Sequence, residues 1–445
     1  MGDIFIVGVG MTPFGKQPEK SFRQLTAAAV GQAVADAECS GADIEAVWFA
    51  NVGQGVLEGQ HAVRGQIALS AAGIEGIPIF NVENACASAS TALSQAATWL
   101  RSGQGDIALA VGCEKMCVPD KQAIFDLFDG CWDVHNAQDN FAAVRDVGSE
   151  LVPEEARTAE AGSARSVFMD IYGALARDHM QRFGSTQRQI AHVAAKNHFH
   201  STFNPLSQFQ QDMSVEEVLA ARGVSWPLTL PMCSPVSDGA AAAILCTRSA
   251  LSRFNRKRAV RVLASVVAAG RKRSIEQYDQ HVCQRAAVRA YEIAGIGPND
   301  ISVAEVHDAT AFAEILQVEN LLFCERGAGG HFAESGASKL GGRLPVNPSG
   351  GLESKGHPIG ATGLAQIFEL VTQLRCEALM ARSAEEDRVR SGGEADARPQ
   401  PPEKPLPGDC CDTGCEVCVF DAYSDALIEY QNALDAWNKR HPEKT

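Results

Sequence analysis

Short apolar runs alternate along the chain with longer amphipathic segments, and this alternation predicts an α/β fold built in layers. Residues 3–10, DIFIVGVG, have the apolar character of a buried strand. Residues 22–39 place apolar side chains at helical spacing, and residues 44–52, IEAVWFANV, form the next predicted strand. A further strand, helix and strand follow over residues 78–116. The order of elements makes right-handed crossovers between parallel strands the expected connection.

Two pairs of segments resemble each other and predict an internal duplication. The segment NACASASTALSQ, residues 84–95, aligns with KGHPIGATGLAQ, residues 355–366, and at this offset of 271 Cys86 falls on His357. Residues 27–52 resemble residues 283–309 at an offset near 257. The sequence therefore predicts two similar halves, each a mostly parallel sheet with helices.

Changes in the pattern divide the chain into predicted regions. A long stretch of less regular sequence at about 114–200 is interpreted as a loop insertion that covers a site. After Gln373 the expected strand pattern of the second half fails, and a charged segment rich in proline and glycine follows. The predicted regions are an N-terminal half at 1–225 including the loop domain, a C-terminal half at 226–380 whose last strands are missing, a flexible linker at 381–407 and a cysteine-rich tail at 408–445.

Charge and composition narrow the functional classes. The 445 residues carry a net charge of −15, which argues against a nucleic-acid partner or an anionic membrane surface. No apolar run approaches the ~18 residues of a membrane-spanning helix, and the N-terminus does not resemble a signal peptide. We therefore expect a cytoplasmic protein whose fourteen cysteines are reduced thiols.

Cys86 is the first candidate for chemistry. It stands between a predicted strand and a helix whose first residues are small. A thiol at a helix N-terminus lies at the positive end of the helix dipole, so we expect a lowered pKa and a nucleophilic thiolate. The alternative is a buried cysteine with a purely structural role, which is the usual fate of this residue type.

Two histidines are candidates for its partners. His357 occupies the equivalent helix start in the second half, followed by Pro358 at the predicted first helical position. A helix N-terminus disfavours the imidazolium, so His357 is expected to be a neutral base that takes the thiol proton. His307 ends the predicted strand ISVAEV, where ligands of layered α/β folds usually meet the sheet. The alternatives are a histidine that caps a helix and one that is hydrogen-bonded in a turn.

The motifs NACASAS, EVHDAT and NPSGGLESKGHPIGATGLAQ resemble the reactive loops of the thiolase superfamily. The similarity is closest to the sterol-carrier-type, or lipid-transfer-protein, thiolases, which carry a histidine-aspartate motif where other thiolases have asparagine. Further similar segments, among them VGCEKM and SPVSDGAAA, extend the resemblance over residues 3 to about 375.

The resemblance implies a fold, a site and partners. The fold is two duplicated α/β halves in an αβαβα arrangement, with a loop domain over the coenzyme A site. Cys86 matches the nucleophile that becomes acylated, His357 the histidine that activates it, and His307 the oxyanion-hole position. Coenzyme A is substrate or product, no cofactor is bound covalently, no metal is expected at the site, and homodimers or homotetramers are usual.

One departure concerns the second cysteine that thiolases use for proton transfer at Cα. In sterol-carrier-type members it directly follows the histidine-aspartate pair, where this chain has Ala309; Cys324 is nearby in sequence but matches no motif.

The predicted function is acyl transfer from acyl-CoA or 3-oxoacyl-CoA thioesters through a Cys86-linked acyl-enzyme. The alternative is a thiolytically inactive subunit that binds CoA thioesters, or that works with a small OB-fold partner in acyl transfer or sterol side-chain cleavage.

A second departure is the C-terminal tail, which resembles the oxidoreductase-like cysteine motif. Four thiols stand close together in it: Cys410, Cys411, Cys415 and Cys418. They would suit zinc or a redox pair. The alternative, a set of exposed thiols without a ligand, is preferred over zinc.

Overall fold

The computed structural model describes residues 2–378, apart from 132, 138, 140, 143–145 and 161–165, together with residues 402 and 430. The chain separates into two units, Met1–Met380 and Ala381–Thr445. The predicted linker and cysteine-rich tail fall in the second unit and, apart from residues 402 and 430, lie outside the described residues. None of the described helices is long and apolar enough to cross a membrane.

Eight strands are formed in the described part of the first unit. They are Ile4–Met11 (β1), Ala46–Ala50 (β2), Ile79–Val82 (β3), Ile107–Glu114 (β4), Gly223–Ser225 (β5), Leu228–Thr229 (β6), Gly239–Thr247 (β7) and Val260–Val262 (β8). Six of them form one sheet in the order β3-β2-β4-β7-β1-β8, and β5 and β6 form a separate hairpin. β2 is parallel to both β3 and β4, whereas β7 runs antiparallel to β4 and β1.

Fourteen α-helices accompany them in the described residues. They are Phe22–Asp36 (α1), Gln54–Leu57 (α2), Arg64–Ser70 (α3), Ser88–Arg101 (α4), Lys121–Asp129 (α5), Glu154–Glu160 (α6), Val167–Phe183 (α7), Gln187–Ser201 (α8), Val215–Ala220 (α9), Val282–Ala294 (α10), Ala311–Asn320 (α11), Gly329–Glu334 (α12), Gly351–Lys355 (α13) and Thr362–Leu374 (α14).

The four inner strands of the sheet, β2, β4, β7 and β1, are buried on both faces and are apolar at nearly every position, whereas the edge strands β3 and β8 are partly exposed. In β2, Trp48 belongs to one core together with Leu93 of α4 and Leu364 of α14. Val47, its neighbour in the strand, belongs to a second core with Leu25 of α1. Successive side chains of a strand point to opposite faces, so helices cover the sheet on both sides.

The region 114–200, predicted to be a loop insertion, is largely helical where the structure describes it. It contains α5, α6, α7 and α8. Phe125 and Phe128 of α5 and Met169 of α7 line the cavity that also contains Cys86. The insertion therefore forms one wall of that cavity.

The predicted second half, 226–380, begins with strands that belong to the first sheet. β7 lies between β4 and β1, and β8 pairs with the outer side of β1, so these two segments do not start a sheet of their own. Beyond Val262, pairing in the described residues is reduced to two isolated bridges, a parallel one between Ala304 and Val346 and an antiparallel one between Thr310 and Cys233. The sequence predicts that the last strands of this half are missing. Without those strands, the segments around Ala304 and Val346 lack neighbours to pair with, so a longer ladder cannot form.

The two helices related by the duplication, α4 and α14, pack directly on each other. Gly363 faces Ser90 so closely that a Cβ atom at residue 363 would lie 2.2 Å from the Ser90 Oγ atom. The helices belong to the same core, through Leu93 and Leu364. Because equivalent elements meet here, the segments that precede them, with Cys86 and His357, are brought to the same place.

Replacing Gly363 with alanine should separate these helices. We expect Gly363→Ala to lower the free energy of unfolding by ~1–3 kcal/mol, as overpacked sites usually do. Gly31→Ala is the matched control, because a Cβ atom at residue 31 of α1 would meet no atom within 4 Å. It should raise stability by up to ~1 kcal/mol. Urea unfolding of both variants checks this, and equal stability of the two would contradict the proposed close packing.

Candidate active site

Cys86 lies in a sharply bent connection between β3 and α4. A 3-10 turn, Ala85–Ala87, holds the cysteine, and α4 begins two residues later at Ser88. Ala85 has a φ of +44°, a conformation that is uncommon for residues other than glycine. The turn is fixed by the Ser88 hydroxyl, which donates to the Ala85 carbonyl oxygen at 2.7 Å and accepts from the Asn84 N–H at 2.8 Å.

The three residues singled out from the sequence are brought together. The Cys86 Sγ atom and one ring nitrogen each of His307 and His357 lie within 4.8 Å of one another. The two imidazole rings are 5.0 Å apart between centroids and nearly perpendicular, at 76°. A thiol and two imidazoles from separate segments thus share one small volume.

The tautomer of His357 follows from its hydrogen bonds. Its Nδ1 atom lies 2.7 Å from the Thr362 hydroxyl oxygen. That hydroxyl donates its proton to the Pro358 carbonyl oxygen at 3.0 Å, so it can only accept from the imidazole. Nδ1 therefore carries the proton, and Nε2 keeps the lone pair that a base requires.

The loop that holds His357 is longer than the sequence predicts. α14 begins at Thr362, so neither His357 nor Pro358 lies in its first turn. Gly356 reaches the loop with a φ of +114°, which a side chain would resist, and a Cβ atom there would lie 2.7 Å from the Ser237 Oγ atom. The Ser237 hydroxyl in turn accepts the His357 backbone N–H at 3.0 Å.

Burial, rather than the helix dipole, controls the protonation of the site. The prediction of a lowered Cys86 pKa is wrong: burial raises the pKa of this thiol to about 12, and the nearby charge of Cys131 adds to the effect. Burial also holds the pKa of His357 well below its usual value, with a further contribution from His307. The expectation of a neutral imidazole is thus met through a different cause, and the resting pair is a thiol beside a neutral base.

His307 is neutral for the same reason. Burial lowers the pKa of its imidazole to about 4, so at neutral pH one ring nitrogen donates and the other accepts. The adjacent Asp308 carboxylate accepts the Leu352 N–H at 2.8 Å and thereby joins the His307 turn to helix α13. A neutral imidazole N–H is a suitable hydrogen-bond donor for a carbonyl oxygen that becomes negative.

A buried carboxyl group ties the His357 loop to the sheet. Glu114, at the end of β4, accepts N–H groups from Gly53 at 2.8 Å, Val52 at 3.0 Å and Gly360 at 2.9 Å. Burial raises the pKa of Glu114 to about 7, although these backbone donors oppose the shift. Because one of the donors belongs to the loop after His357, this carboxyl group helps to fix the position of the imidazole.

Behind His307 lies a second group of buried charges. The Asn197 Nδ2 atom is 3.1 Å from Asp308, 3.1 Å from Glu314 and 2.9 Å from Glu353. Lys196 forms an ion pair with Glu314 at 2.7 Å. Burial and neighbouring carboxylates raise the pKa of Asp308 and of Glu353 well above the usual range. These contacts hold the turn that carries His307 against α8 and α13.

The three candidate residues open into one large cavity of about 1220 Å³. Its walls are mostly apolar, and they also carry Tyr172 and three further cysteines, Cys117, Cys131 and Cys233. Three exposed cations line it as well: Lys16, Lys121 and Arg222. A mostly apolar cavity lined by exposed cations and by a thiol suits a long ligand with an anionic end.

Sequence reasoning did not find several of these residues. Thr362 carried a signal, since it aligns with Thr91 across the duplication. Glu114 carried another, as a charged residue at the end of an apolar strand. Tyr172 lies in an ordinary helical pattern, and nothing in the sequence around it indicates a functional role.

Comparison with known families decides the affiliation of the chain. The family description "Thiolase, N-terminal domain" matches residues 4–218, and "Thiolase C-terminal domain-like" matches residues 269–391. An acetyl-CoA acetyltransferase of Methanothermobacter thermautotrophicus is 38% identical over 385 residues, which cover 85% of this chain and 92% of that protein.

The chain belongs to the thiolase family.

Other relatives place this thiolase near the sterol carrier proteins, as its motifs indicate. Sterol carrier protein 2 of Bos taurus is 37% identical over 84% of this chain and 67% of its own length. The benzoylsuccinyl-CoA thiolase subunit BbsB of Thauera aromatica is 34% identical over 84% of this chain and 89% of its own length. The predicted resemblance and the predicted thiolase-like acyltransferase function are therefore confirmed.

Solved structures confirm the α/β thiolase fold. The structure of an "Ltp2-ChsH2(DUF35) aldolase" matches with a TM-score of 0.66 and 21% identity, covering 85% of this thiolase and 91% of that chain. Human mitochondrial 3-ketoacyl-CoA thiolase matches with a TM-score of 0.60 and 18% identity, covering 84% and 92%. At these identities the similarity concerns the fold.

The tail of this thiolase matches a different family, "Oxidoreductase-like protein, N-terminal", over residues 396–439. This confirms the predicted resemblance. The four thiols that could bind zinc lie outside the described residues, and none of the matched families or relatives supports a zinc site there. Cys86, His307 and His357 form a donor set that a metal could bind, but thiolases act on CoA thioesters without a metal cofactor.

The raised pKa of Cys86 predicts the pH dependence of its alkylation. Because the thiol is protonated near pH 7, labelling of Cys86 by iodoacetamide should be slow there and should rise about tenfold per pH unit to at least about pH 10. Peptide mass spectrometry follows Cys86, with the exposed Cys376 as an internal reference. A rate for Cys86 that levels off below about pH 8 would show a stabilised thiolate instead.

Proposed function

We propose that Cys86 attacks the carbonyl carbon of a CoA thioester, with His357 as its base. The observation that supports this proposal is the contact of one thiol with two neutral imidazoles, all within 4.8 Å. As the sulfur–carbon bond forms, the thiol proton passes to His357 Nε2, whose other nitrogen is held by Thr362. Neither group needs to be charged beforehand, so the transfer is concerted with the attack.

The negative oxygen of the tetrahedral intermediate needs donors. His307 supplies an imidazole N–H, and the Cys86 turn supplies a backbone N–H, because the first N–H groups of a helix lack acceptors within the helix. When the intermediate collapses, the bond between the carbonyl carbon and the CoA sulfur breaks. The leaving thiolate takes the proton from His357, and the acyl group stays on Cys86.

The type of reaction that we propose is that of an acetyl-CoA acetyltransferase or 3-oxoacyl-CoA thiolase. Two relatives carry such names, the acetyl-CoA acetyltransferase and the benzoylsuccinyl-CoA thiolase subunit. With a 3-oxoacyl-CoA, Cys86 attacks the C3 carbonyl, the C2–C3 bond breaks, and a second CoA accepts the acyl group. The mostly apolar cavity of about 1220 Å³ has room for the acyl chain.

We place the phosphate groups of coenzyme A at the three exposed cations, Lys16, Lys121 and Arg222. All three line the cavity, and within the described part of the chain none of them has an ion-pair partner. Lysine and arginine bind phosphate oxygens through charge-assisted hydrogen bonds. The apolar interior then receives the pantetheine arm and leads the thioester to Cys86.

A second candidate is a subunit that acts with a small OB-fold partner, in acyl transfer or in sterol side-chain cleavage. Ala309 supports it, since its methyl group cannot transfer a proton. One relative is named as a subunit, and one similar structure is named as an aldolase with a DUF35 component. This candidate predicts acylation or binding without complete thiolysis by the chain alone.

Self-association is part of the proposal. β3 is the outer strand of the sheet, and its Phe80 is 44% exposed while it stacks on Trp48 at 5.0 Å. An open edge with an exposed aromatic side chain favours pairing with another chain. We propose that a second copy pairs along β3 to form the homodimer.

The acyl-enzyme predicts a covalent mass increase. Wild-type protein incubated with acetyl-CoA should gain one acetyl group on Cys86, and Cys86→Ala should gain none. Cys376→Ala, at an exposed cysteine outside the cavity, should behave as wild type. His307→Ala should acylate slowly, because loss of one oxyanion donor costs ~2.7–4 kcal/mol in the barrier. Equal labelling of wild type and Cys86→Ala would refute the proposal.

The phosphate site predicts a selective loss of affinity. Arg222→Gln should raise KM for acetyl-CoA about threefold to tenfold, because an exposed charge-assisted hydrogen bond is lost. It should leave kcat/KM unchanged for the N-acetylcysteamine thioester, which has no phosphate. Arg188→Gln is the control, since Arg188 is exposed and paired with Glu216. An equal effect of Arg222→Gln on both thioesters would place the phosphates elsewhere.

A further inference from the structure

Cleavage of a 3-oxoacyl-CoA leaves a step that the three candidate residues do not perform. When the C2–C3 bond breaks, its electron pair remains on C2 of the departing acetyl-CoA, and C2 must receive a proton. Ala309 offers only a methyl group at the cavity wall. His357 is already engaged with the proton of Cys86. The proton has to come from another group that lines the same cavity.

We propose that the Tyr172 hydroxyl donates this proton to C2. The proposal rests on the function proposed above and names the group that completes the C–C cleavage. Tyr172 projects from α7, the helix of the insertion that forms one wall of the cavity, and it lines the cavity with Cys86, His307 and His357. Among the described residues that line the cavity, Tyr172 is the one that carries a phenol.

The electrostatic neighbours of Tyr172 agree with its place in the cavity wall. The phenol interacts with the charges of Cys86, Cys283 and Asp308. Cys86 carries the acyl group, and Asp308 directly follows the proposed oxyanion donor His307. Because Tyr172 also lines the same cavity as Cys86, Ala309 and His307, we place its hydroxyl within reach of C2, which separates from the acyl group on Cys86.

The hydroxyl is also available. Within the described residues no hydrogen bond to the Tyr172 hydroxyl is found. Tyr172 is half-buried, and a phenol at the cavity wall without a protein partner is free to hydrogen-bond to a ligand. Burial raises the pKa of Tyr172, followed by the charges of Cys86 and Cys283, and this keeps the proton on the phenol at neutral pH.

The thiols of the cavity are weaker candidates. Cys117 donates to the Val236 carbonyl oxygen at 3.7 Å, and Cys233 donates to that of Thr229 at 3.5 Å. Cys131 lies near Cys86, on whose pKa its charge acts, but the charges that act on Cys131 itself are those of Glu83 and Glu114 and not that of Asp308 beside His307. Cys131 is therefore the matched rival in the experiment.

The step balances without an added oxidant or reductant. The Tyr172 O–H bond breaks, a C2–H bond forms, and the carbanion becomes acetyl-CoA. The phenolate then regains a proton from the thiol of the incoming CoA. That CoA attacks the acyl group on Cys86 as a thiolate, and the Cys86 thiolate leaves and is reprotonated by His357.

Tyr172→Phe tests this step, because it removes one oxygen atom and keeps the ring. CoA-dependent cleavage of acetoacetyl-CoA should fall at least 100-fold, within the ~10²–10⁴-fold range of general acid catalysis. Acetylation of Cys86 by acetyl-CoA, followed by intact mass, should stay within twofold of wild type. Cys131→Ala, which removes the rival thiol, should lose less than tenfold in the same cleavage.

Results of three kinds would overturn the assignment. One is a loss of less than tenfold in Tyr172→Phe, or of more than tenfold in Cys131→Ala. Another is an equal loss of acylation and cleavage in Tyr172→Phe, which would indicate a structural role. The third is a wild-type protein that acetylates Cys86 but does not cleave acetoacetyl-CoA, which removes this inference and leaves the acyl-enzyme standing. A failure of the proposed function itself is distinct, since wild type would then show no adduct.

Discussion

The site depends on the close packing of two equivalent helices, α4 and α14. Their contact leaves no room for a side chain at Gly363, and Leu93 and Leu364 occupy the same core. Each helix is preceded by a reactive residue, Cys86 or His357. Duplication followed by packing of the copies therefore creates a thiol–imidazole pair that neither half contains. Helices that lay one side chain further apart would leave the two groups unable to exchange a proton.

Burial decides how this pair behaves. The surrounding protein desolvates the thiol and both imidazoles, and all three are neutral at rest, with the Cys86 pKa raised and those of His307 and His357 lowered. Buried carboxyl groups surround this centre, in Glu114 and in the groups around Asn197. Their hydrogen bonds hold the loops in place, and the thiol and imidazoles at the centre are neutral until charge develops on the substrate.

Much of this could be predicted from the sequence, because it depends on local pattern. The apolar strands, the duplication and the motifs around Cys86 and His357 are visible in single segments. The raised pKa of Cys86 could not be predicted in this way, because the position of a residue in a helix is a local property, whereas its burial depends on the whole fold. Membership of β7 in the first sheet depends on pairing with β1 and β4 across long sequence separations. Tyr172 becomes informative only when the insertion is seen to line the cavity.

The protonated state of Cys86 has a consequence for the durability of the protein. Peroxides oxidise thiolates far faster than thiols, and reversible oxidation proceeds to irreversible sulfinic and sulfonic acids. An enzyme whose resting cysteine is a protonated thiol reacts slowly with peroxides between turnovers. It is vulnerable only in the brief interval when a thioester occupies the cavity, and the thioester itself then shields the sulfur from attack.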